Sequence, residues 1–181
     1  LSSIAAGGLT LWVLIASNYL YDAPRPDEPQ DHRTAEPLAY VQSTYDIHDT
    51  VMPKIEAVAA QLGTGTKTRL AASGDATWPM SWYLRDYPVN WGSNPRKIDT
   101  PILITDLSNA NAIDKAIGDR YEKIRFQIRG WWEPNEFKNP VKNLNHLFTR
   151  KAFSPVGSSD ALMYVLKDVK PGMPITAIDV N

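Results

Sequence analysis

The stretch that decides the fold is PILITD, residues 101–106, in which three large apolar residues follow one another between a proline and a threonine. A strand that is apolar on both faces is typical of the centre of a parallel sheet, because helices cover such a sheet on both sides. Asp106 then ends the apolar run. We therefore expect a central parallel strand whose carboxyl end lies at Asp106.

Short apolar runs alternate with helical patterns on both sides of this strand. Strands alternating with helices of this length favour βαβ units with right-handed crossovers. The predicted fold class is α/β, with a Rossmann-like, mostly parallel sheet, helices on both faces and one preceding transmembrane helix. The other predicted strands are residues 38–41, 68–72, 121–132 and 162–167, and the tail from residue 168 is either a short edge strand or irregular. The predicted helices are residues 46–62, ended by Gly63, a short helix of about ten residues capped by Thr77 and closed by Pro88, a helix capped by Ser108 or Asn109 that runs to Ile117, and residues 141–150.

The predicted strand at residues 121–132 has the clearest alternation of apolar and polar residues in the chain. Such alternation is typical of a strand with one buried and one solvated face. One face of this strand is therefore solvated or functional. The apolar positions are Ile124, Phe126 and Ile128, and the polar positions are Lys123, Arg125, Gln127 and Arg129.

Composition excludes several classes of function. The 181 residues carry a net charge of −1 and no stretch dense in lysine and arginine, so binding to nucleic acid by phosphate neutralisation is not expected. The chain has no cysteine, which excludes disulfides, thiol catalysis and zinc–thiolate sites. The length suits one domain of about 140–150 residues plus an appendage.

No cofactor or metal site is predicted. His32, His48 and His146 are scattered without the spacing of metal ligands. No glycine-rich dinucleotide fingerprint follows the first strand, and the glycine-rich residues 63–67 precede a strand rather than a helix, so they indicate a turn. No catalytic residue is therefore assigned within these residues.

The first 20 residues contain no charged side chain. A helix of this length spans about 30 Å, which is the thickness of a bilayer core. Asn18, Tyr19 and Tyr21 follow as interfacial residues, before a linker rich in proline and charge. The predicted layout is a transmembrane helix at residues 1–21, a linker at 22–35, a globular domain at 36–170 and a tail at 171–181. A signal peptide and an ordinary buried helix remain alternatives for the first segment.

The segment from Gly74 to Pro88 is the clearest sign of function in the chain, because it is dense in aromatic and charged residues. At helical spacing Trp78, Trp82 and Arg85 share one face, whereas Tyr83 and Tyr87 share another. In open α/β sheets ligands bind beside the loops that follow the carboxyl ends of strands. The alternative is that both tryptophans fill the core and that Arg85 pairs with Asp86 or another carboxylate.

Parallel strands would bring the segments after strands two, three and four to one edge of the sheet. Indole faces stack on the C–H surfaces of sugars, and arginine binds phosphate with two parallel hydrogen bonds. A sugar or sugar-phosphate partner follows from this set. The alternative is that Arg125 and Arg129 are only the solvated face of an edge strand. The predicted substrate-binding residues are Asp75, Trp78, Trp82, Tyr83, Arg85, Asp86, Asp106, Arg129, Trp131 and Trp132.

Residues 78–87, WPMSWYLRDY, resemble the WPxxWYLRDY signature of multi-spanning membrane glycosyltransferases of the GT-C superfamily. The signature lies in their extracytoplasmic C-terminal domain. The closest branch is similar to dolichyl-phosphate-mannose protein mannosyltransferases and carries the name flippase-activity-associated in archaea. The resemblance extends over residues 37–168, and it departs from the family pattern at Gly130, where a bulky residue is expected. Its other pieces are residues 36–42, 121–132, Arg150, 157–158 and 163–165.

The resemblance implies that residues 1–20 end the last transmembrane helix and that the globular part lies outside the cell membrane. In such enzymes the catalytic acid lies on a loop of the membrane core, and the donor is a polyprenyl-phosphate sugar. Neither the catalytic loop nor the donor-binding region is expected within these residues. The expected function is substrate or acceptor recognition for such a glycosyltransferase. The alternative is a single-pass accessory subunit that binds other subunits or helices of a membrane complex, which the small residues near the start of the chain also fit.

Overall fold

The computed structural model describes residues 2–17, 40–41, 43–92, 96–131, 138–149, 153–154 and 157–180. These form two compact units. The first comprises Leu1–Thr44 and Arg129–Ser159, and the second comprises Tyr45–Ile128 and Asp160–Asn181. The elements are α1 (Ser2–Ser17), β1 (Tyr40–Val41), α2 (Met52–Leu62), β2 (Leu70–Ser73), α3 (Thr77–Tyr83), β3 (Val89–Gly92), β4 (Lys97–Ile98), β5 (Ile102–Asp106), α4 (Ala110–Ile117), β6 (Tyr121–Trp131), α5 (Pro140–Thr149), β7 (Gly157–Leu166) and β8 (Ile178–Asp179).

The second unit contains a mixed sheet with the strand order β6-β7-β5-β2-β3. Strand β2 is parallel to β3 on one side and to β5 on the other. Strand β7 is antiparallel to β5, with Leu103 opposite Tyr164. The α/β class is therefore confirmed, with the parallel part of the sheet confined to β3, β2 and β5 among the pairings described.

Two hydrophobic cores cover the sheet of the second unit. Ile102 and Ile104 of β5 belong to the core that contains α2 and α3, whereas Leu103 belongs to the core that contains α4 and β8. Successive side chains of a strand point to opposite faces, so this division places apolar packing on both sides of β5. The prediction of a central strand buried on both faces is confirmed at this position, but β5 is parallel to β2 only and antiparallel to β7.

The predicted helix at residues 46–62 consists of two parts. A π-helix at Ile47–Val51 leads into α2, where Pro53 occupies one of the first two helical positions. Pro53 has no N–H group to donate to the preceding turn, and it lies where the π-helix changes to the α-helix. Gly63 ends the helix with φ +69°, as predicted for a glycine stop.

Strands β3 and β4 were not predicted from the sequence, β8 agrees with one of the two alternatives for the tail, and β7 begins earlier than predicted. Strand β3 pairs with β2 over its whole length, from Leu70 opposite Val89 to Ser73 opposite Gly92. Strand β8, in the predicted tail, pairs antiparallel with β4. These strands have two to four residues each, which is too short for a period to show.

The alternation along β6 is confirmed with one exception. Phe126 and Ile128 are buried, and Lys123 and Arg125 are exposed. Gln127 was predicted on the solvated face but is only 6 % exposed. The reason is that the segment before α2 lies against this part of β6, where the backbone N–H of Gln127 donates to Asp46 Oδ2 at 2.8 Å.

The first unit contains α1, β1, α5 and the ends of β6 and β7 that adjoin it. Strand β1 pairs antiparallel with the end of β6, with Tyr40 opposite Trp131. Within α1 the side chains of Leu9, Leu11 and Val13 are exposed. No helix in the described part of the chain has the length and apolarity needed to cross a bilayer. The rest of the predicted transmembrane segment and the linker at residues 22–35 lie outside the described residues.

The carboxylate of Asp114, on α4, lies between side chains of β6 and β7. Asp114 accepts hydrogen bonds from Tyr164 Oη at 2.8 Å and from Lys123 Nζ at 2.6 Å. Burial raises the pKa of Asp114, but these two hydrogen bonds and the charge of Lys123 more than offset it, so the pKa is lowered overall. Burial and the same carboxylate raise the pKa of Tyr164.

We expect the contribution of Asp114 to stability to be complete above the unfolded pKa of about 3.9 and to be lost as the pH falls through the lower folded pKa. Asp114→Asn should lower the free energy of unfolding at neutral pH and flatten its acid dependence between about pH 5 and pH 2. Urea unfolding across this range measures both effects. Asp119→Asn, at an exposed site of the neighbouring turn, is the matched control, and equal acid profiles for the two variants would contradict the prediction.

Candidate functional site

The parallel strands β2, β3 and β5 end at the same edge of the sheet, which we call the carboxyl edge. Gly74 follows β2 directly, Gly92 ends β3, and Asp106 ends β5. Gly74 has φ +66°, a backbone conformation that suits glycine, and it opens a 3-10 turn that leads into α3. Segments that diverge from adjacent strand ends in this way create a surface depression, as expected for this class of sheet.

Asp106 fixes the geometry of the carboxyl edge. Its Oδ2 accepts from the backbone N–H of Asp75 at 3.3 Å, and its Oδ1 accepts from the backbone N–H of Ser108 at 3.2 Å and from the Ser108 hydroxyl. A Cβ atom on Gly74 would lie 1.9 Å from Asp106 Oδ2. The carboxylate therefore sits directly against Gly74 and joins the segment after β2 to the segment after β5.

Buried hydroxyl groups join the same two strand ends just inside this edge. Ser73 Oγ donates to Thr105 Oγ1 at 2.8 Å, and Asn109 Nδ2 donates to the same oxygen at 2.9 Å. Ser73 and Thr105 are almost fully buried. Because buried polar groups are costly unless they are hydrogen-bonded, this network keeps the strand ends in register beneath the surface.

Helix α3 is shorter than the predicted helix of about ten residues, and it ends at Tyr83. Thr77 was predicted to cap it, but the Thr77 hydroxyl donates back to the Gly74 carbonyl at 2.9 Å. The reason is that the 3-10 turn runs straight into the helix. Trp78 has the extended dihedral angles φ −114° and ψ 121°, and the Trp78–Pro79 peptide bond is cis.

The tryptophans of this helix are on the surface. Trp78 is 58 % exposed and Trp82 is 66 % exposed, so the alternative that both fill the core is wrong. Tyr83 and Tyr87 are half-buried and pack against the core that contains α2, on the other face, as the spacing predicted. Burial, together with the charges of Glu56 and Asp86, raises the pKa of Tyr87.

Arg85 and Trp82 form a stacked pair, which we call the Trp82–Arg85 platform. The guanidinium carbon of Arg85 lies 4.8 Å from the centre of the Trp82 ring, and Arg85 Nη1 donates to the Trp82 carbonyl at 2.8 Å. Arg85 Nε also lies 3.9 Å from Asp86 Oδ2. An exposed ion pair of this length contributes little free energy, so the stack and the backbone bond orient the arginine.

A cleft of about 620 Å³ opens at the carboxyl edge, and we call it the tryptophan cleft. Trp78 comes from α3 and Trp91 from β3, and Trp91 is 44 % exposed. Sequence reasoning missed Trp91, although it is a third tryptophan in the 14 residues from 78 to 91, in a strand-length run after Pro88. The lining residues are Gly74, Thr77, Trp78, Ser81, Trp91 and Gly92.

The remaining predicted site residues fall into three groups. Asp75 is exposed at the carboxyl edge, next to Asp106. Arg129 and Trp131 belong to the first unit, where both are half-buried and the Trp131 indole lies against Gly157. Trp132 lies outside the described residues. The predicted meeting of these two β6 residues with the tryptophans of α3 stays a prediction.

The described residues contain no group of three or more histidine, aspartate or glutamate side chains arranged to hold a metal ion. Comparisons of the chain with protein-family models, with curated proteins and with solved structures found no match.

Proposed function

We propose that this protein binds carbohydrate at the tryptophan cleft and the adjoining Trp82–Arg85 platform. The observation that carries the proposal is the exposure of three indoles, Trp78, Trp82 and Trp91, at or beside the ends of parallel strands. Large aromatic side chains gain most from burial, so a group of them left on the surface marks a binding site.

The chemistry of the cleft suits a sugar ring. Two indoles supply flat apolar surface for the C–H face of a pyranose. In the same lining, the Ser81 hydroxyl can donate to or accept from a sugar hydroxyl, and the Thr77 hydroxyl, which donates to Gly74, can accept. The guanidinium of Arg85 adds a fork of donors for a phosphate or carboxylate group on the ligand. Among the described residues that line the cleft, no nucleophile has an adjacent base, and the proposed role is recognition.

We further propose that the chain is the extracytoplasmic domain of a membrane glycosyltransferase that uses a polyprenyl-phosphate sugar, and that it recognises the acceptor. In this proposal α1 belongs to a transmembrane helix and the sheet of the second unit is a Rossmann-like scaffold. Support comes from the resemblance of residues 78–87 to the glycosyltransferase signature, because these residues include Trp78 and Ser81 of the cleft as well as the Trp82–Arg85 platform.

The test is glycan transfer by the full-length protein that carries Trp82→Ala together with Arg85→Ala. Both side chains are more than half exposed, so the double variant should fold normally. We expect the transfer rate to fall about tenfold, as for loss of one stacked aromatic contact at the centre of a binding site. Tyr45→Ala with Lys115→Ala removes an exposed aromatic and an exposed cation on other elements and serves as the control. Unchanged transfer by the folded platform variant would refute the proposed function.

A second candidate function is that of a single-pass accessory subunit that binds other subunits of a membrane complex. The observation that favours it is the exposed apolar surface of α1, where Leu9 is 63 % and Leu11 is 60 % exposed. Small residues along the same helix permit close helix–helix packing. The coding sequence upstream of residue 1 separates the two: a series of hydrophobic spans favours the glycosyltransferase, and a start codon at that point favours the subunit.

A further inference from the structure

A second cleft lies at the opposite edge of the same strands, where β2 and β5 begin. It has a volume of about 400 Å³, within the range of about 300–1,000 Å³ that is usual for small-molecule sites. Arg69, just before β2, and Pro101, just before β5, both line it. The segment from Gly172 to Ala177 supplies another wall. We call this the amino-edge cleft.

The charges that line the amino-edge cleft are predominantly positive. Lys67, Arg69 and Lys97 supply three positive charges and Asp99 supplies one negative charge, which leaves a net charge of +2. Arg69 Nη2 lies 3.1 Å from Asp99 Oδ2, so this pair is internally compensated. Within the described part of the chain, Lys67 and Lys97 have no ion-pair partner, and both are exposed. Two ammonium groups are therefore available to a ligand.

The rest of the lining is largely apolar. Leu62 and Pro101 are buried behind the cleft, and Ile175 and Ala177 come from the segment before β8. Lysines on an ordinary solvated surface need no apolar floor beside them. A concave apolar floor next to uncompensated positive charge instead fits a ligand with an apolar body and an anionic head.

We propose that the amino-edge cleft binds a phosphate monoester with an apolar body. A phosphate monoester carries close to two negative charges at neutral pH, which matches the net charge of the lining, and its three terminal oxygens accept hydrogen bonds from ammonium and guanidinium donors. The apolar body lies against Leu62, Pro101 and Ile175. This site uses none of the residues of the tryptophan cleft, so it does not depend on the proposed carbohydrate function.

Calorimetric titration of the whole chain with four probes tests the two halves of the ligand. Hexyl phosphate should bind, whereas inorganic phosphate, which has the head alone, and hexanol, which has the body alone, should each bind at least about tenfold more weakly. Hexanoate, with a single negative charge, should bind with intermediate affinity. Equal binding of hexyl phosphate and inorganic phosphate would overturn the apolar part of the proposal, and the absence of hexyl phosphate binding would overturn all of it.

Two variants locate the binding to the cleft. Lys67→Gln with Lys97→Gln should weaken hexyl phosphate binding by about tenfold or more, because two charge-assisted contacts are lost. Lys115→Gln with Lys138→Gln removes the same charge from exposed lysines elsewhere and should leave the affinity unchanged. Ala177→Phe fills the cleft from an exposed position and should abolish binding while both lysines remain. Undiminished binding to folded Ala177→Phe protein would place the ligand elsewhere and overturn the proposal.

Discussion

Replacing Gly74 with alanine is expected to lower the free energy of unfolding by about 2–4 kcal/mol. Two costs add at this position. Gly74 has φ +66°, where an alanine is strained, and the new Cβ would lie 1.9 Å from Asp106 Oδ2. The carboxylate must then move, and its hydrogen bonds to the backbone of Asp75 and to Ser108 are weakened or lost. Urea unfolding followed by circular dichroism measures the effect.

Gly172→Ala is the matched control for this prediction. Gly172 has φ +71°, but no atom lies within 4 Å of the position that its Cβ would occupy. The Gly172→Ala variant should therefore lose only the free energy of backbone strain, about 1–2 kcal/mol. Adding Asp106→Ala to Gly74→Ala removes the clash and should cost less than the sum of the two single variants. Equal destabilisation by Gly74→Ala and Gly172→Ala would show that the contact with Asp106 contributes nothing.

Removing both indoles of the tryptophan cleft, by Trp78→Ala together with Trp91→Ala, should weaken oligosaccharide binding by about 100-fold. Each stacked ring is expected to contribute about 1.5 kcal/mol of contact and burial with the sugar. Trp78 is 58 % and Trp91 is 44 % exposed, so the stability of the free protein should change little. Calorimetric titration of the chain with a panel of oligosaccharides measures the affinity, and urea unfolding checks the fold.

Tyr45→Ala with Leu144→Ala removes comparable exposed apolar surface on other elements and should leave the affinity unchanged. The cleft variant should also bind hexyl phosphate as the parent protein does, because the amino-edge cleft shares no residue with it. An affinity for oligosaccharide within about twofold of the parent value would contradict carbohydrate binding at this cleft.

The class of the fold and its central strand were predictable because the necessary information is local. Residues 102–104 are apolar on both faces, which is typical of a strand covered on both sides. The glycine after Leu62 ends α2 through its own backbone conformation, which does not depend on how the helix packs. The direction of β7 was not predictable. Strand β7 is buried without alternation from Ala161 to Val165, and such an apolar run can pair with a neighbour in either direction. The antiparallel pairing of Leu103 with Tyr164 therefore depends on the path of the whole chain.

The candidate site was predictable in part. The spacing of Trp82 and Arg85 placed them on one helical face, and the structure stacks them there. The exposure of the tryptophans could not be predicted from the sequence, because tryptophan occurs both in protein cores and on surfaces. Trp91 was missed because β3 has no periodic pattern of apolar residues that predicts a strand, and it is defined by its pairing with β2.

The antiparallel pairing of β5 with β7 also sets the order in which this protein can fold during its synthesis. Strand β5 pairs on one side with β2, which emerges from the ribosome before it, but its other neighbour is separated from it by the whole of α4, β6 and α5. Until that last long strand has been made, the most apolar strand of the sheet has an open edge that other chains could join. We therefore expect the nascent chain to be prone to association from the completion of β5 at Asp106 until β7 has been made at Leu166.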